Sequence, residues 1–409
     1  MTEALPITTA EPEGQSKPFR RRVFYIPGYD PIHPRRYREL YRKEGADQAK
    51  ISNYSLTLAP KKTQGPYGWQ ATATIDGHTA QADIEVLVWS DIVRSSMEQG
   101  ILATYLQLLR TAAAYILTGA LFRLMRLRKG PMIAALYPIG MLLLQLTIAC
   151  LIGYAVYLMG AQIHPMIGLF VALPTAAQTL RFFRKHDNRL YAYYLMHDYA
   201  HSAQSLGAYP PELETRLTAF RETIQKALTE DTDEVLIVGH SSGAHLAVSI
   251  LSDLIRAGLP SQRPILSFLS LGQVVPMISF LPRANRLRAD LHYLSARPEI
   301  TWIDVTAPGD GCAFALCDPV AVTGVSPPNQ IWPLIISAAF TQTLSPDRWK
   351  TLRWRFFRLH FQYLCAFDRP GDYDYFKITA GSETLAQRYA NRQPSKSRIT
   401  TPRSGYRSL

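Results

Sequence analysis

Glu234-Val235-Leu236-Ile237-Val238-Gly239-His240-Ser241-Ser242-Gly243-Ala244-His245 decides the reading of this chain. An acidic residue opens a short apolar run, rich in β-branched residues, of the length a buried strand takes. The run ends in Gly-x-Ser-x-Gly. Ala244, Ala247, Val248, Leu251 and Leu254 then recur at helical spacing. A sharp strand-to-helix turn forces its central residue into a strained conformation and lifts that side chain clear of the sheet. Gly239 and Gly243 let neighbouring backbone approach closely. The free N–H groups and positive end of the helix behind Ser241 favour a developing negative charge.

This segment resembles the nucleophile elbow of the α/β-hydrolases, with Gly239, Ser241 and Gly243 on the motif. The match is strong over about twenty residues and looser over the rest of the soluble chain. What it implies is an α/β fold: a mostly parallel sheet flanked by helices, with Ser241 as nucleophile. It also implies an oxyanion hole from the N–H of Ser242 and from a loop after an early strand. Pro27-Gly28-Tyr29 follows Val23-Phe24-Tyr25-Ile26 in that way, so Gly28 and Tyr29 are the matching positions, although Pro-Gly also makes an ordinary turn.

The chain has 409 residues and a formal charge of +12. That charge alone is compatible with nucleic acid, an anionic membrane surface or no partner. Four cysteines, at 150, 312, 317 and 365, form no disulfide framework and fit a reducing compartment. Cys312 and Cys317 lack the second pair that a zinc site would need. Met1 to Pro18 is polar and has no signal-peptide core.

Residues 1–20 read as a flexible arm, turning basic at Arg20, Arg21 and Arg22. Residues 21–100 form the first part of the α/β domain: the strand Val23–Ile26, a basic helix from about Pro34 to Lys43, a hairpin of Tyr54–Leu58 and Trp69–Ile75, and a strand over Asp83–Trp89. Residues 101–189 change character. Ile101–Phe122 is an amphipathic helical pattern with Arg110 as its single charge, followed by Arg123, Arg126, Arg128 and Lys129. From Pro131 to Leu180 there is no Asp, Glu, Lys or Arg, and Arg181, Arg184, Lys185 and Arg189 follow. Roughly 20 apolar residues cross a bilayer, so this stretch holds two spans joined near Gly160–Pro165. The second is the weaker, interrupted by Pro174, and a re-entrant or interfacial helix is its alternative. Basic residues flank the outer ends and not the tip, which places both flanks in the cytoplasm. The lipid bilayer is therefore the expected partner, with no nucleic acid. The expected location is a bacterial inner membrane, with the catalytic domain and both termini cytoplasmic.

Residues 190–385 resume the α/β domain, with helices over Tyr191–Leu206 and Pro210–Leu228. Further strands are expected at Ile265–Leu271 and Ile300–Thr306, and Trp354–Phe361 reads as either strand or helix. His197-Asp198-x-x-His201 sets two imidazoles one helical turn apart, but lacks a third ligand and the zincin glutamate. Residues 386–409 read as a basic, disordered tail attracted to anionic lipid, or simply solvated.

The resemblance further implies the order Ser, acid, His along the chain. Asp310, in Pro308-Gly309-Asp310-Gly311, occupies the Gly-flanked loop expected for the acid; Asp304 and Asp318 are the alternatives. Of ten histidines only His292 and His360 follow the serine helix, and only His360 follows Asp310. The implied chemistry is acyl transfer to water through an acyl-enzyme on Ser241, Asp310 and His360, without cofactor or metal. The spans bias the substrate towards a lipid-like or acyl ester or thioester. Alternatives are an acyltransferase on the same site and a membrane-tethered scaffold without activity. The charge pattern also predicts that a reporter inserted at Gln162 reads as non-cytoplasmic; a cytoplasmic reading would replace two spans by a re-entrant hairpin.

Overall fold

The computed structural model describes residues 17–409; the greater part of the expected N-terminal arm lies outside the described residues. Eight strands form one sheet: β1 (Phe19–Ile26), β2 (Ser55–Pro60), β3 (Gly68–Ile75), β4 (His78–Val86), β5 (Glu234–His240), β6 (Ile265–Leu271), β7 (Thr301–Thr306) and β8 (Leu334–Ser337). Their order across the sheet is β2-β3-β4-β1-β5-β6-β7-β8. The ladders from β4 through β1 to β8 are parallel, while β3 runs antiparallel to both its neighbours. This is a mostly parallel α/β sheet covered on both faces.

The central strands read as unbroken apolar runs because both faces are buried. Val23, Tyr25, Leu236 and Val238 pack on one side with helix Arg35–Ile51 and the C-terminal helices. Phe24, Ile26, Val235 and Ile237 pack on the other with the serine helix, Ser242–Arg256. That helix is apolar almost all round, so Leu246 and Ile250 are buried along with the stripe read from the sequence.

After β1 the chain moves to one side of the sheet, and β5 begins its path to the other. The strand order therefore reverses between β1 and β5, where a crevice opens beyond the carboxyl ends of the strands. Pro27–Asp30 leaves β1 there and Ser241 leaves β5.

Between β4 and β5 lie two membrane-length helices, Lys129–Ala161 and Pro165–Lys185. Pro138 and Pro174 sit inside them without ending either. They pair closely through small residues: a side chain at Gly160 or Gly168 would strike the opposite backbone. Ahead of them, the pattern over 101–122 divides at Gly119 into Ile101–Leu117 and Ala120–Met125, because Gly119 adopts a left-handed φ of 72°.

Three readings are corrected. Arg21 and Arg22 belong to β1 and are buried, not part of an arm. Arg21 Nε donates to Glu234 Oε2 at 2.5 Å, and its remaining N–H groups reach the carbonyls of Gly381 and Glu383. Residues 386–409 are not a disordered tail. Ile399 bonds both Leu316 and Asp318 through its backbone, Arg403 N donates to Val322 O, and Arg288 holds the carbonyl of Ser408. Trp354–Phe361 contains helix Phe356–His360 and no strand; the last strand is β8, a four-residue run too short to show a period.

Glu234 also accepts from Ser267 Oγ and Leu385 N, so one buried carboxylate joins β1, β5, β6 and the C-terminal segment. Removing its charge leaves the buried Arg21 guanidinium without a counter-charge. Glu234→Gln is expected to destabilise the fold by about 3–5 kcal/mol, read as a large drop in melting midpoint in detergent; an unchanged midpoint would refute this role.

Candidate functional site

Ser241 sits at the turn between β5 and its helix with φ 56° and ψ −121°, a conformation L-residues rarely adopt. Its amide donates to the carbonyl of Leu271 at 2.9 Å, which pins the turn to β6. The glycines explain the close fit. A Cβ on Gly239 would lie 2.7 Å from the Gly243 carbonyl oxygen, and one on Gly243 would overlap the carbonyl of Ile26. A Cβ on Gly28 would come within 2.9 Å of the Ser241 Cβ, so the loop after β1 lies directly against the serine.

That loop is held from several directions. Trp89 Nε1 donates to the Pro27 carbonyl at 2.9 Å, and the Tyr194 hydroxyl donates to that of Tyr29. Asp30 accepts from the Tyr37 hydroxyl at 2.6 Å and from Ile32 N. The N–H groups of Gly28, Tyr29 and Ser242 have no hydrogen-bond acceptor among the described residues. All three are thus free donors around Ser241.

His360 ends the helix Phe356–His360. Its Nδ1 lies 2.7 Å from Asp310 Oδ2, and both side chains are buried. Asp310 also accepts from the Tyr363 hydroxyl at 3.0 Å and from Cys312 N at 2.9 Å. Burial pushes the Asp310 carboxyl up, but the His360 charge and these hydrogen bonds outweigh it and hold the pKa below the usual range. The other His360 nitrogen, Nε2, is buried and has no partner. The ring lies over Gly272, where a Cβ would meet His360 Cε1 at 3.0 Å, one residue beyond the carbonyl that binds Ser241 N. Ser241 Oγ and His360 Nε2 are not hydrogen-bonded to each other; such contacts are often long before substrate binds.

The alternative acids are committed elsewhere. Asp304 accepts from Ser270 Oγ at 2.5 Å within the sheet, and burial pushes its pKa up to about 8. Asp318 caps helix Pro319–Thr323, accepting from Val320 N and Ala321 N. His292 is bonded to the Val325 carbonyl. His240 Nε2 donates to the His360 carbonyl, so it braces the backbone of that residue; burial, then the His360 charge, lowers its pKa to about 3.

Helix Ala192–Ala203 adds residues that the sequence pattern did not assign to the site. His197 and His201 do not form a metal pair: His197 Nδ1 bonds Gln107 Oε1, while His201 lies beside Tyr29 and Trp89. Between them Asp198 accepts no hydrogen bond among the described residues; burial pushes its pKa up to about 7, opposed by the His360 charge. Asp198 and His201 line a small cavity of about 20 Å³ with Tyr29, Trp89, Ser242 and His245. That is room for one or two water-sized groups. Both His201 nitrogens are buried without partners, and burial lowers its pKa to about 4. The only sequence signal for this wall was the polar run His197-Asp198-x-x-His201, read there for its imidazoles alone.

Asp310, Cys312 and His360 place potential ligand atoms within 4.8 Å of one another. Burial and the Asp310 charge push the Cys312 thiol well up, which keeps it protonated. Comparison of the chain with family models, curated proteins and solved structures gives no match.

The raised carboxyls set a pH dependence. Folded Asp198 keeps its proton to about 7 whereas an ordinary carboxyl loses it near 3.8, so the folded state binds more protons between those values. The Asp198 contribution to stability should therefore fall as pH rises from about 4 towards 7, with Asp304 in the same sense, while the buried neutral His201 and His240 contribute in the opposite sense below about 6.5. Asp198→Asn is expected to remove the Asp198 share, so that the variant's melting midpoint rises relative to the parent's as pH goes from about 4 to 7 in detergent. An identical slope in the variant would show that Asp198 is already ionised.

Proposed function

We propose that this chain is a membrane-bound serine hydrolase of the α/β-hydrolase type, cleaving an ester presented at the cytoplasmic face of the bilayer. The observation that carries the reading is His360, with Nδ1 tied to Asp310 at 2.7 Å and Nε2 buried and unpartnered beside the strained Ser241 turn. A carboxylate on Nδ1 fixes the tautomer that leaves Nε2 as the base. In this reading Nε2 takes the Ser241 proton as Oγ attacks the ester carbonyl. The oxyanion falls among the free N–H groups of Ser242, Gly28 and Tyr29, and the imidazolium then protonates the leaving alcohol. Water, deprotonated by the same nitrogen, releases the acid from Ser241.

The spans support a substrate of the membrane. Gly130, at the start of the first span, packs against Gly311 beside Asp310, where a Cβ would sit 3.2 Å from backbone. Arg128 Nε donates to the Ala315 carbonyl at 2.7 Å. At the other foot of the hairpin, Tyr191 packs on Phe357, with ring centroids 5.0 Å apart, three residues before His360. A substrate leaving the cytoplasmic leaflet between these feet would meet the serine at once. The cavity behind Ser242 limits what lies on that side to a group of a few heavy atoms, so a long chain would have to extend towards the bilayer.

A fluorophosphonate probe on the purified full chain tests the reading. Labelling and ester turnover are expected for the parent and lost in Ser241→Ala. His360→Ala should lower turnover by at least about a thousandfold, and the double variant hardly further, because the two residues act as one unit. Equal labelling of Ser241→Ala, or a His360→Ala protein with most of its activity, would defeat the proposal. Transfer of the acyl group to added alcohol in preference to water would make the enzyme an acyltransferase on the same site.

A further inference from the structure

A second candidate site lies on the outside of the limb that carries His360. Helix Pro346–Leu352 and helix Phe356–His360 border an open groove of about 640 Å³ lined by Arg348, Arg355 and Arg358, with the hydroxyls of Ser345 and Thr351 and one acid, Asp347. Arg355 and Arg358 make no ion pair among the described residues, and Arg348 approaches only Glu44, at 3.6 Å. Three guanidinium groups against one carboxylate, with hydroxyls between, match a phosphate better than any neutral ligand.

The surroundings identify the source of the phosphate. Trp354, between the two helices, is 72% exposed, Phe356, which opens the second, is 44% exposed, and Arg353 lies over the Trp354 ring. Aromatic rings interleaved with arginines are the composition of a membrane–water interface. The limb stands at that level, because Phe357 packs on Tyr191 just beyond the basic end of the second span. We propose that this groove seats the phosphate of an anionic lipid headgroup in the cytoplasmic leaflet, with Trp354 and Phe356 entering the interface beside it.

The seat would also act on the reactive limb. The Trp349 ring covers Gly309, at 2.6 Å from a Cβ there, and the Phe356 ring covers Gly311, at 3.0 Å. These two contacts bracket Asp310, and Arg358 precedes His360 by two residues. A headgroup held by Arg348, Arg355 and Arg358 would fix the segment that supplies both partners of the His360–Asp310 pair. The proposal rests on the membrane-spanning reading and is independent of the hydrolase chemistry.

Hydrogen–deuterium exchange of the full chain, in nanodiscs of phosphatidylcholine alone or mixed with phosphatidylglycerol, reads the seat directly. Amides of residues 345–360 are expected to exchange several-fold more slowly with phosphatidylglycerol present. The effect should vanish in a protein carrying Arg348→Gln, Arg355→Gln and Arg358→Gln, while exchange of the serine helix is unchanged. Should that variant misfold, Arg355→Gln alone and a salt titration of the parent replace it, since screening should remove the protection. Equal exchange in the two lipids, or protection that survives the substitutions, overturns the proposal. Protection in phosphatidylcholine by inorganic phosphate alone, to the same extent, would assign the groove to a soluble phosphate and overturn the lipid assignment.

Discussion

Backbone held at φ 56° and ψ −121° on a residue with a side chain costs about 1–3 kcal/mol and persists only where packing over-determines it. At Ser241 the packing is supplied by absent side chains. Gly239, Gly243 and Gly28 leave room for β1, β5 and the serine helix to meet with backbone against backbone. The same closeness aims the helix N-terminus and the loop after β1 at one point. Enlarging any of these glycines would part the crevice before it touched the chemistry. The order of strands makes this the place where the chain reverses across the sheet, the position at which such sheets open a crevice.

The second dependence runs between the hairpin and the acid loop. Glycines at 130 and 311 touch, Arg128 holds the Ala315 carbonyl, and the aromatic residues 191 and 357 close the opposite side. The apolar pair of helices is therefore continuous with the elements that hold Asp310 and His360, and helix Ala192–Ala203 carries Asp198 from one to the other. The segments that carry Asp310 and His360 are thus fixed relative to two helices long and apolar enough to span a membrane, which a flexible tether would not do. Leu102, Leu106 and Leu109 are also exposed on the preceding helix, Ile101–Leu117.

Much of this was legible because its signals are local. A strand closed by Gly-x-Ser-x-Gly and followed by helical spacing needs no distant partner to be read. A long charge-free stretch between basic clusters is enough to read two long apolar helices. β8 was hidden because four residues show no period, and the break at Gly119 because a helix tolerates a glycine when its apolar stripe continues. The C-terminal segment misled for a different reason. Its polar composition describes what its side chains do, whereas its order comes from backbone hydrogen bonds to Leu316, Asp318 and Val322, which composition cannot show.

The sequence by itself determined the α/β alternation, the apolar hairpin and the short set of residues able to act with Ser241, since residue type and near spacing carry those. Only the tertiary structure decided which acid meets which histidine. Asp304, Asp310 and Asp318 are close in sequence, yet one is held by Ser270 inside the sheet, one by helix N–H groups, and one by His360 across 50 residues. It also turned Arg21 and Arg22 from a basic arm into buried ion pairs and put Asp198 on the wall of the cavity beside Ser242. Each depends on groups brought together from distant parts of the chain, where burial sets the charge a side chain can keep, and no local pattern records that.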